Sequence, residues 1–173
     1  MYGLNKETSE HCKRVSYLAY QTAMTYGLNE RMCKDIRLAG LLHDIGKMKI
    51  PSEILEKTGK LTGQVNYHVI KQHPEIGASI IGSMGSASVK EMVLYHHENV
   101  DGSGYYGLID EDIPIGAKII HICDVFDAMI SKRCYKEEMD QKAVIEWMKS
   151  QKRMFDKENT EILYEINCKK GAA

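Results

Sequence analysis

A chain of 173 residues with 43% hydrophobic and 27% charged side chains has the balance of an ordinary globular protein, and its length fits one domain of about 100–200 residues. Lys and Arg number 23 against 24 Asp and Glu, a formal charge of −1, so no broad basic field exists to hold a nucleic-acid duplex, although a few local cations could still grip a small anion. The five cysteines (Cys12, Cys33, Cys123, Cys134 and Cys168) are odd in number and form no C-x-x-C pair, which excludes a disulfide framework or zinc ribbon and suggests reduced thiols in a cytoplasm.

Only three prolines interrupt the chain, and most segments repeat their apolar residues with helical spacing. Arg14 to Met24 places Val15, Leu18, Ala19 and Thr22 on one stripe, with Gly27 as the stop. Asn29 reads as the N-cap of a helix through Ile45, with Met32, Ile36, Ala39 and Leu42 inward and Gly46 at its end. Pro51 to Lys57 is a short helix opened by Pro and closed near Gly59. Gly63 to Gln72 and Glu75 to Met84 read as helices parted by His73-Pro74, because the residue before Pro avoids the helical region. Ser86 to His97 is another helix. Asn99 to Asp112 is a polar, Gly-rich stretch expected to be a functional or flexible loop. Pro114 opens an apolar helix through about Ser131. Asp140 caps a helix to about Met154, and a last turn or two runs from Glu158.

The expectation is an all-α chain of about seven to eight helices. It forms a single domain over residues 1–173, with a core over about 5–156 and a C-terminal tail over about 157–173 that ends weakly in Gly171-Ala172-Ala173. No apolar run approaches the ~20 residues of a membrane span, and the first residues carry no signal-peptide pattern.

The seven histidines are His11, His43, His68, His73, His96, His97 and His121. Their company matters more than their number. His43 precedes Asp44, His96 and His97 precede Glu98, and Glu7 lies one helical turn before His11 on the same face. Asp124 sits inside the apolar stretch Ile113–Ile130, where a bare carboxylate costs several kcal/mol. A divalent metal would neutralise such a set, and imidazole with carboxylate suits Fe, Mn, Zn or Ni. Each residue alone has a plainer reading as a satisfied core or surface group, and His68 and His121 keep it.

The ordered motifs are Leu41-Leu42-His43-Asp44-Ile45-Gly46-Lys47, Ile50-Pro51, His73-Pro74-x-x-Gly77, His96-His97-Glu98, Asp101-Gly102-Ser103-Gly104-Tyr105, Asp124-Val125-Phe126-Asp127-Ala128 and Arg133-x-Tyr135-Lys136. Together they resemble the HD-GYP subgroup of the HD phosphohydrolase superfamily, from Glu7 to about Lys136, with a fainter trace at Phe155-Asp156. The resemblance implies an HD-type helical domain around a buried metal centre. It implies a metal-dependent phosphodiesterase that hydrolyses a cyclic dinucleotide, chiefly cyclic di-GMP, to linear pGpG and onward to GMP.

Carried over motif by motif, the first metal set is His11, His43, Asp44 and Asp124. The second is His73, His96 and His97, with Asp44 bridging, and Glu7 matches a position that helps hold a third metal in some members. This set exceeds the three or four ligands of a mononuclear site. Two or three divalent metals are therefore expected, Fe or Mn first and Zn, Ni or Mg as alternatives. Two metals ~3.5–4 Å apart suit phosphodiester cleavage by activating water and holding non-bridging oxygens. The resemblance makes Asp44 and Lys47 catalytic. It gives Lys47, Asp101, Gly102, Tyr105, Arg133 and Lys136 to the substrate. It also implies sensor, receiver or diguanylate cyclase partner domains and leaves a homodimer open.

Three family prolines are replaced, by Tyr106, Cys134 and Lys157, and none of these positions is a metal ligand. The loop change motivates two alternatives: another cyclic dinucleotide or nucleotide as substrate, or a non-catalytic module that binds a cyclic dinucleotide or a partner.

Overall fold

The computed structural model describes residues 4–55, 64–82, 85–131 and 139–169. The protein is all-α. Among the described residues the extended chain pairs only in an isolated antiparallel bridge between Asp101 and Ile109.

Helix α1 spans Lys6–Tyr26. The Asn5 side chain caps it by accepting from the Thr8 N–H at 2.8 Å, and Gly27 ends it at φ +86°. It starts about two turns before the predicted Arg14. Those turns are polar and exposed on most sides, so their periodicity is faint, yet they turn His11 and Cys12 inward. Helix α2 spans Glu30–Leu42, capped by Asn29, and packs along α1. It stops three residues short of the expected Ile45. The reason is Gly46: its backbone lies so close to the next layer that a Cβ there would sit 1.9 Å from the His73 carbonyl oxygen. The chain leaves the helix and tightens into a 3-10 turn, Ile45–Lys49.

The next two helices are short: α3, Ser52–Leu55, and α4, Gln64–Ile70. The expected extension of α3 towards Lys57 and Gly59 lies outside the described residues. Helix α5 spans His73–Ile81 and includes His73-Pro74, which had been expected to separate two helices. Pro lacks an N–H and costs nothing in a first turn, where that N–H has no helical partner. Helix α6, Ala87–Tyr95, is capped by Ser86 and ends two residues before the expected His97.

Helix α7, Ile115–Ile130, is the centre of the molecule. Ala117, Ile119, Ile120, Ile122, Cys123 and Phe126 are buried on several of its sides, as fits a helix enclosed by others. It packs against α1, α2 and α6 and against two later helices, α8 (Gln141–Ser150) and α9 (Lys157–Tyr164). Asp140 and Asp156 cap these two, and α8 ends at Ser150 rather than near Met154. One apolar cluster joins Ile36, Val93, Ile120, Phe126, Ile145, Met148 and Leu163. Each fully buried side chain of this size contributes roughly 1.5–3 kcal/mol. Leu163 belongs to α9, so the core extends into the stretch read as a tail. No helix among the described residues is long and apolar enough to cross a membrane.

Candidate metal centre

The chemistry collects where helix ends meet the middle of α7. His11 comes from the second turn of α1, and His43 and Asp44 follow the last turn of α2. His73 opens α5, and His96 and His97 follow α6. Asp124 projects from α7, its side chain 16% exposed.

Three of these imidazoles are fixed alike. The Nδ1 atoms of His43, His73 and His96 lie 2.8, 2.7 and 2.7 Å from the carbonyl oxygens of Gly40, Ile70 and Val93, each three residues earlier. A carbonyl oxygen only accepts, so each Nδ1 carries the proton and each Nε2 presents a lone pair. Those lone pairs converge. His73 Nε2 and His96 Nε2 are 3.3 Å apart, and the buried His43 Nε2 has no hydrogen-bond partner among the described residues. Facing lone pairs in a buried site repel unless a cation lies between them, and this donor set fits a divalent metal. His11, His43 and Asp44 form one group whose donor atoms lie within 4.8 Å of one another, and His73, His96 and His97 form another.

Asp44 lies between the groups. Its Oδ2 is 3.5 Å from His43 Nε2 and its Oδ1 is 3.3 Å from His73 Nε2. Asp124 Oδ1 is 2.9 Å from His11 Nε2 and 3.9 Å from His43 Nε2. Lys47, one turn beyond Asp44, donates to Asp44 Oδ2 at 2.7 Å.

The electrostatics follow from burial and neighbours. Burial pushes the Asp44 carboxyl up, but the Lys47 ammonium, with His43 and His73, outweighs it and holds the group well below the usual carboxylate range. Asp124 is held low against burial by the His11 hydrogen bond and the nearby His43. Burial pulls Lys47 down, and the Asp44 carboxylate more than offsets it, so Lys47 stays charged. Burial lowers His73 to about 4 and His97 to about 3, and drives His96 well below its ordinary value. His11 goes the other way. Burial pulls it down, yet hydrogen bonds to Asp124 and Asp127 raise it to about 9.

Asp127 has a place that its motif did not announce. Its Oδ2 accepts from His11 Nδ1 at 2.7 Å, while Arg14 donates to both carboxylate oxygens at 2.7 and 2.9 Å. Arg14 is three residues from His11 and Asp127 three from Asp124, so facing i,i+3 pairs on α1 and α7 orient the His11 ring. That spacing was the available signal. Glu98 is a second case. Its carboxylate is 2% exposed and accepts from the backbone N–H groups of Tyr106 and Leu108, each at 2.7 Å.

Glu7, exposed, and Lys47 line a cavity of about 340 Å³ with His11, Asp44 and Asp124. Asp101 accepts from Ser103 within its own loop and from Arg153, which follows α8, and Gly102 takes φ +79° in that loop. The Tyr105 ring lies 4.6 Å from the His97 ring, tilted 32°. Arg133 and Lys136 fall outside the described residues. His68 is exposed, while the buried His121 lies 3.1 Å from the His96 carbonyl through Nδ1. Cys12, Cys33 and Cys123 are buried free thiols.

The HD domain family profile matches residues 4–158. The chain is 40% identical over 154 residues to the Xanthomonas campestris cyclic di-GMP phosphodiesterase response regulator RpfG, covering 86% of this chain and 40% of that protein. It is 38% identical over 166 residues to the Vibrio cholerae 3'3'-cGAMP-specific phosphodiesterase 2, covering 93% and 32%. The chain therefore spans two fifths or less of the length of these curated relatives. A solved Bdellovibrio bacteriovorus protein, Bd1817, described as an HDG"Y"P protein, superposes with a TM-score of 0.75 at 20% identity, covering 91% of this chain and 51% of that one, and so shares the fold. With the His43-Asp44 pair at its centre and nearly its whole length matched, the chain belongs to the HD domain family.

Proposed function

We propose that this domain is a metal-dependent phosphodiesterase that hydrolyses cyclic di-GMP to the linear dinucleotide pGpG and onward to GMP. The observation that carries the reading is the approach of His43 and His73 Nε2 to the two Asp44 carboxylate oxygens, with His96 Nε2 against His73 Nε2. His11, His43, Asp44 and Asp124 would hold one metal, and His73, His96 and His97 a second with Asp44 shared. Glu7, on the cavity wall, would help hold a third. Nitrogen and oxygen donors without thiolate suit Fe, Mn, Zn or Ni, and Fe or Mn is the expected occupant. When bound, such ions polarise the phosphodiester and lower the pKa of water.

The chain's own groups do the rest. Lys47 uses one N–H on Asp44, which leaves two donors for a non-bridging phosphate oxygen. Burial pushes the Tyr105 hydroxyl up to about 12, so it keeps its proton and donates to the substrate. Arg133 and Lys136 grip phosphate or base, as their motif implies. Glu98, Asp101 and Gly102 hold the loop that presents Tyr105. Buried reduced thiols are in keeping with a cytoplasmic setting. A sensor, receiver or diguanylate cyclase domain is the expected controller, and a second copy of the chain a further candidate partner.

The test is metal content and cyclic di-GMP turnover on one sample of iron- or manganese-supplied protein. Two or more metals with turnover are expected, and Asp44→Ala should abolish both, by at least about 1,000-fold in kcat, since it removes a bridging ligand and the Lys47 anchor. One metal or none in the intact protein would sink the assignment. A second reading, hydrolysis of a mixed cyclic dinucleotide, is favoured by Tyr106 in the presenting loop. Parallel assays with 3'3'-cGAMP decide between them, and tight binding without turnover of either would identify a non-catalytic module.

A further inference from the structure

Beside the cavity wall stands a cation that no carboxylate answers among the described residues. The side chain of Ile70, the last residue of α4, walls the cavity, and its carbonyl fixes His73. The next residue, Lys71, places its ammonium 4.6 Å from the centroid of the Tyr105 ring and 5.4 Å from that of Tyr67. These two rings meet edge to face, 6.4 Å apart at 78°. Tyr105 also lies against the His97 ring, so aromatic rings run without a break from a metal-ligating histidine to Tyr67, which is 44% exposed. Lys47 lies deeper in the cavity, with one N–H on Asp44. Lys71 touches only ring faces among the described residues, and these satisfy an ammonium weakly while leaving its N–H donors free.

A cyclic dinucleotide has two phosphodiesters and two purines. Only one phosphodiester can lie over the converging histidines and Asp44 at a time. The other half needs its own cation and its own stacking surface. We propose that Lys71, Tyr67 and Tyr105 form the subsite for the half of the substrate that is not being cut. Lys71 holds the second phosphate, and the exposed ring of Tyr67 stacks against a purine. Tyr105 sits between this subsite and the metal ligands and sets their spacing. The assignment rests on the cyclic-dinucleotide reading above. It adds Lys71 and Tyr67, which lie outside every motif that carried the family resemblance.

Steady-state kinetics of the metal-loaded chain with cyclic di-GMP test it. Lys71→Met keeps the aliphatic stem against the rings and removes the charge. It should raise KM about tenfold or more while kcat stays within about threefold, as expected for losing one charge-assisted hydrogen bond in binding. Lys71→Arg should restore KM to within about threefold, because a guanidinium also stacks on rings and holds phosphate. Tyr67→Leu should raise KM by roughly fivefold or more, the lower end of base–aromatic stacking. Metal content should not change in any of the three. An unchanged KM in Lys71→Met overturns the proposal. So does a fall in kcat with loss of metal, which would make Lys71 a support for Tyr105 and His97 only. If the unaltered protein binds its metals yet cleaves no cyclic dinucleotide, the substrate reading fails first and the subsite with it. That outcome shows in the parent protein, before any variant is compared.

Discussion

Metal binding at His11 should depend on pH, and binding at the His73, His96 and His97 group should not above about pH 5. Both His11 nitrogens face carboxylate oxygens, so both donate and the ring is an imidazolium at neutral pH, with its pKa raised to about 9. A metal at His11 must displace the Nε2 proton. Affinity there should rise about tenfold per pH unit from 6 to 9, with release of about one proton at pH 7. Burial holds His73 near 4 and His97 near 3, so their group is already deprotonated and should bind with little pH dependence above about pH 5. Calorimetric titration in buffers of different ionisation enthalpy separates the two, and equal proton release at both would refute the assignment. Tyr106 gives a second residue-scale prediction. It stands where the family pattern has Pro, and its N–H donates to buried Glu98 at 2.7 Å, a bond that Pro cannot make. Restoring the family residue with Tyr106→Pro should therefore destabilise the protein by about 1–2 kcal/mol, measured by thermal unfolding, despite the stiffer backbone. Higher stability in this variant would show that Glu98 does not depend on that donor.

At the scale of elements, most helices are legible in the sequence, and their ends are not. Asn29, Ser86 and Asp140 cap helices as their positions suggest, because a cap is a local hydrogen bond. α2 and α6 were both expected to continue to Ile45 and His97. Both stop early, where His43-Asp44 and His96-His97 leave the helix to join the two donor groups. The halt of α2 depends on a neighbour that is distant in sequence. Gly46 lies against the His73 carbonyl, and its own segment contains nothing that signals this contact. Gly46→Ala should force α5 away from the 3-10 turn. The expected cost is about 2 kcal/mol or more, with metal content falling at both groups, since His43, Asp44 and His73 flank the contact. Unchanged metal loading in a folded Gly46→Ala protein would mean that the turn tolerates displacement. Expectations for the loop at 99–112 left flexibility open. Glu98, Asp101 and the left-handed Gly102 and Gly107 tie it down instead.

For the whole molecule, the metal centre links helices that are otherwise joined by the apolar core. His11 on α1, His43 after α2, His73 on α5, His96 after α6 and Asp124 on α7 meet in one cluster around Asp44, and among the described residues the buried His43 Nε2 lone pair has no partner without a cation. Metal should therefore stabilise the fold as a ligand of the native state. At 100 times its dissociation constant the gain is about 2.7 kcal/mol, or roughly 5–10 °C in Tm, and a chelator should reverse it. A Tm indifferent to manganese, iron and chelator would count against any metal in this cavity.

By itself the sequence determined the helical class, the ordered motifs and the residue types of a metal centre. These depend on local periodicity, capping and the chemistry of His and Asp, which can be read within a few residues of each position. Tertiary structure decided what no local pattern contains. It brought the Nε2 atoms of His73 and His96 together, placed Asp44 between two groups of ligands, and stopped α2 at Leu42. It also assigned Asp127 and Arg14 to His11, and Lys71 and Tyr67 to the corner beside Tyr105. Most of these follow from contacts between residues far apart in the chain, whose partners meet only once α7 has gathered the other helices around it.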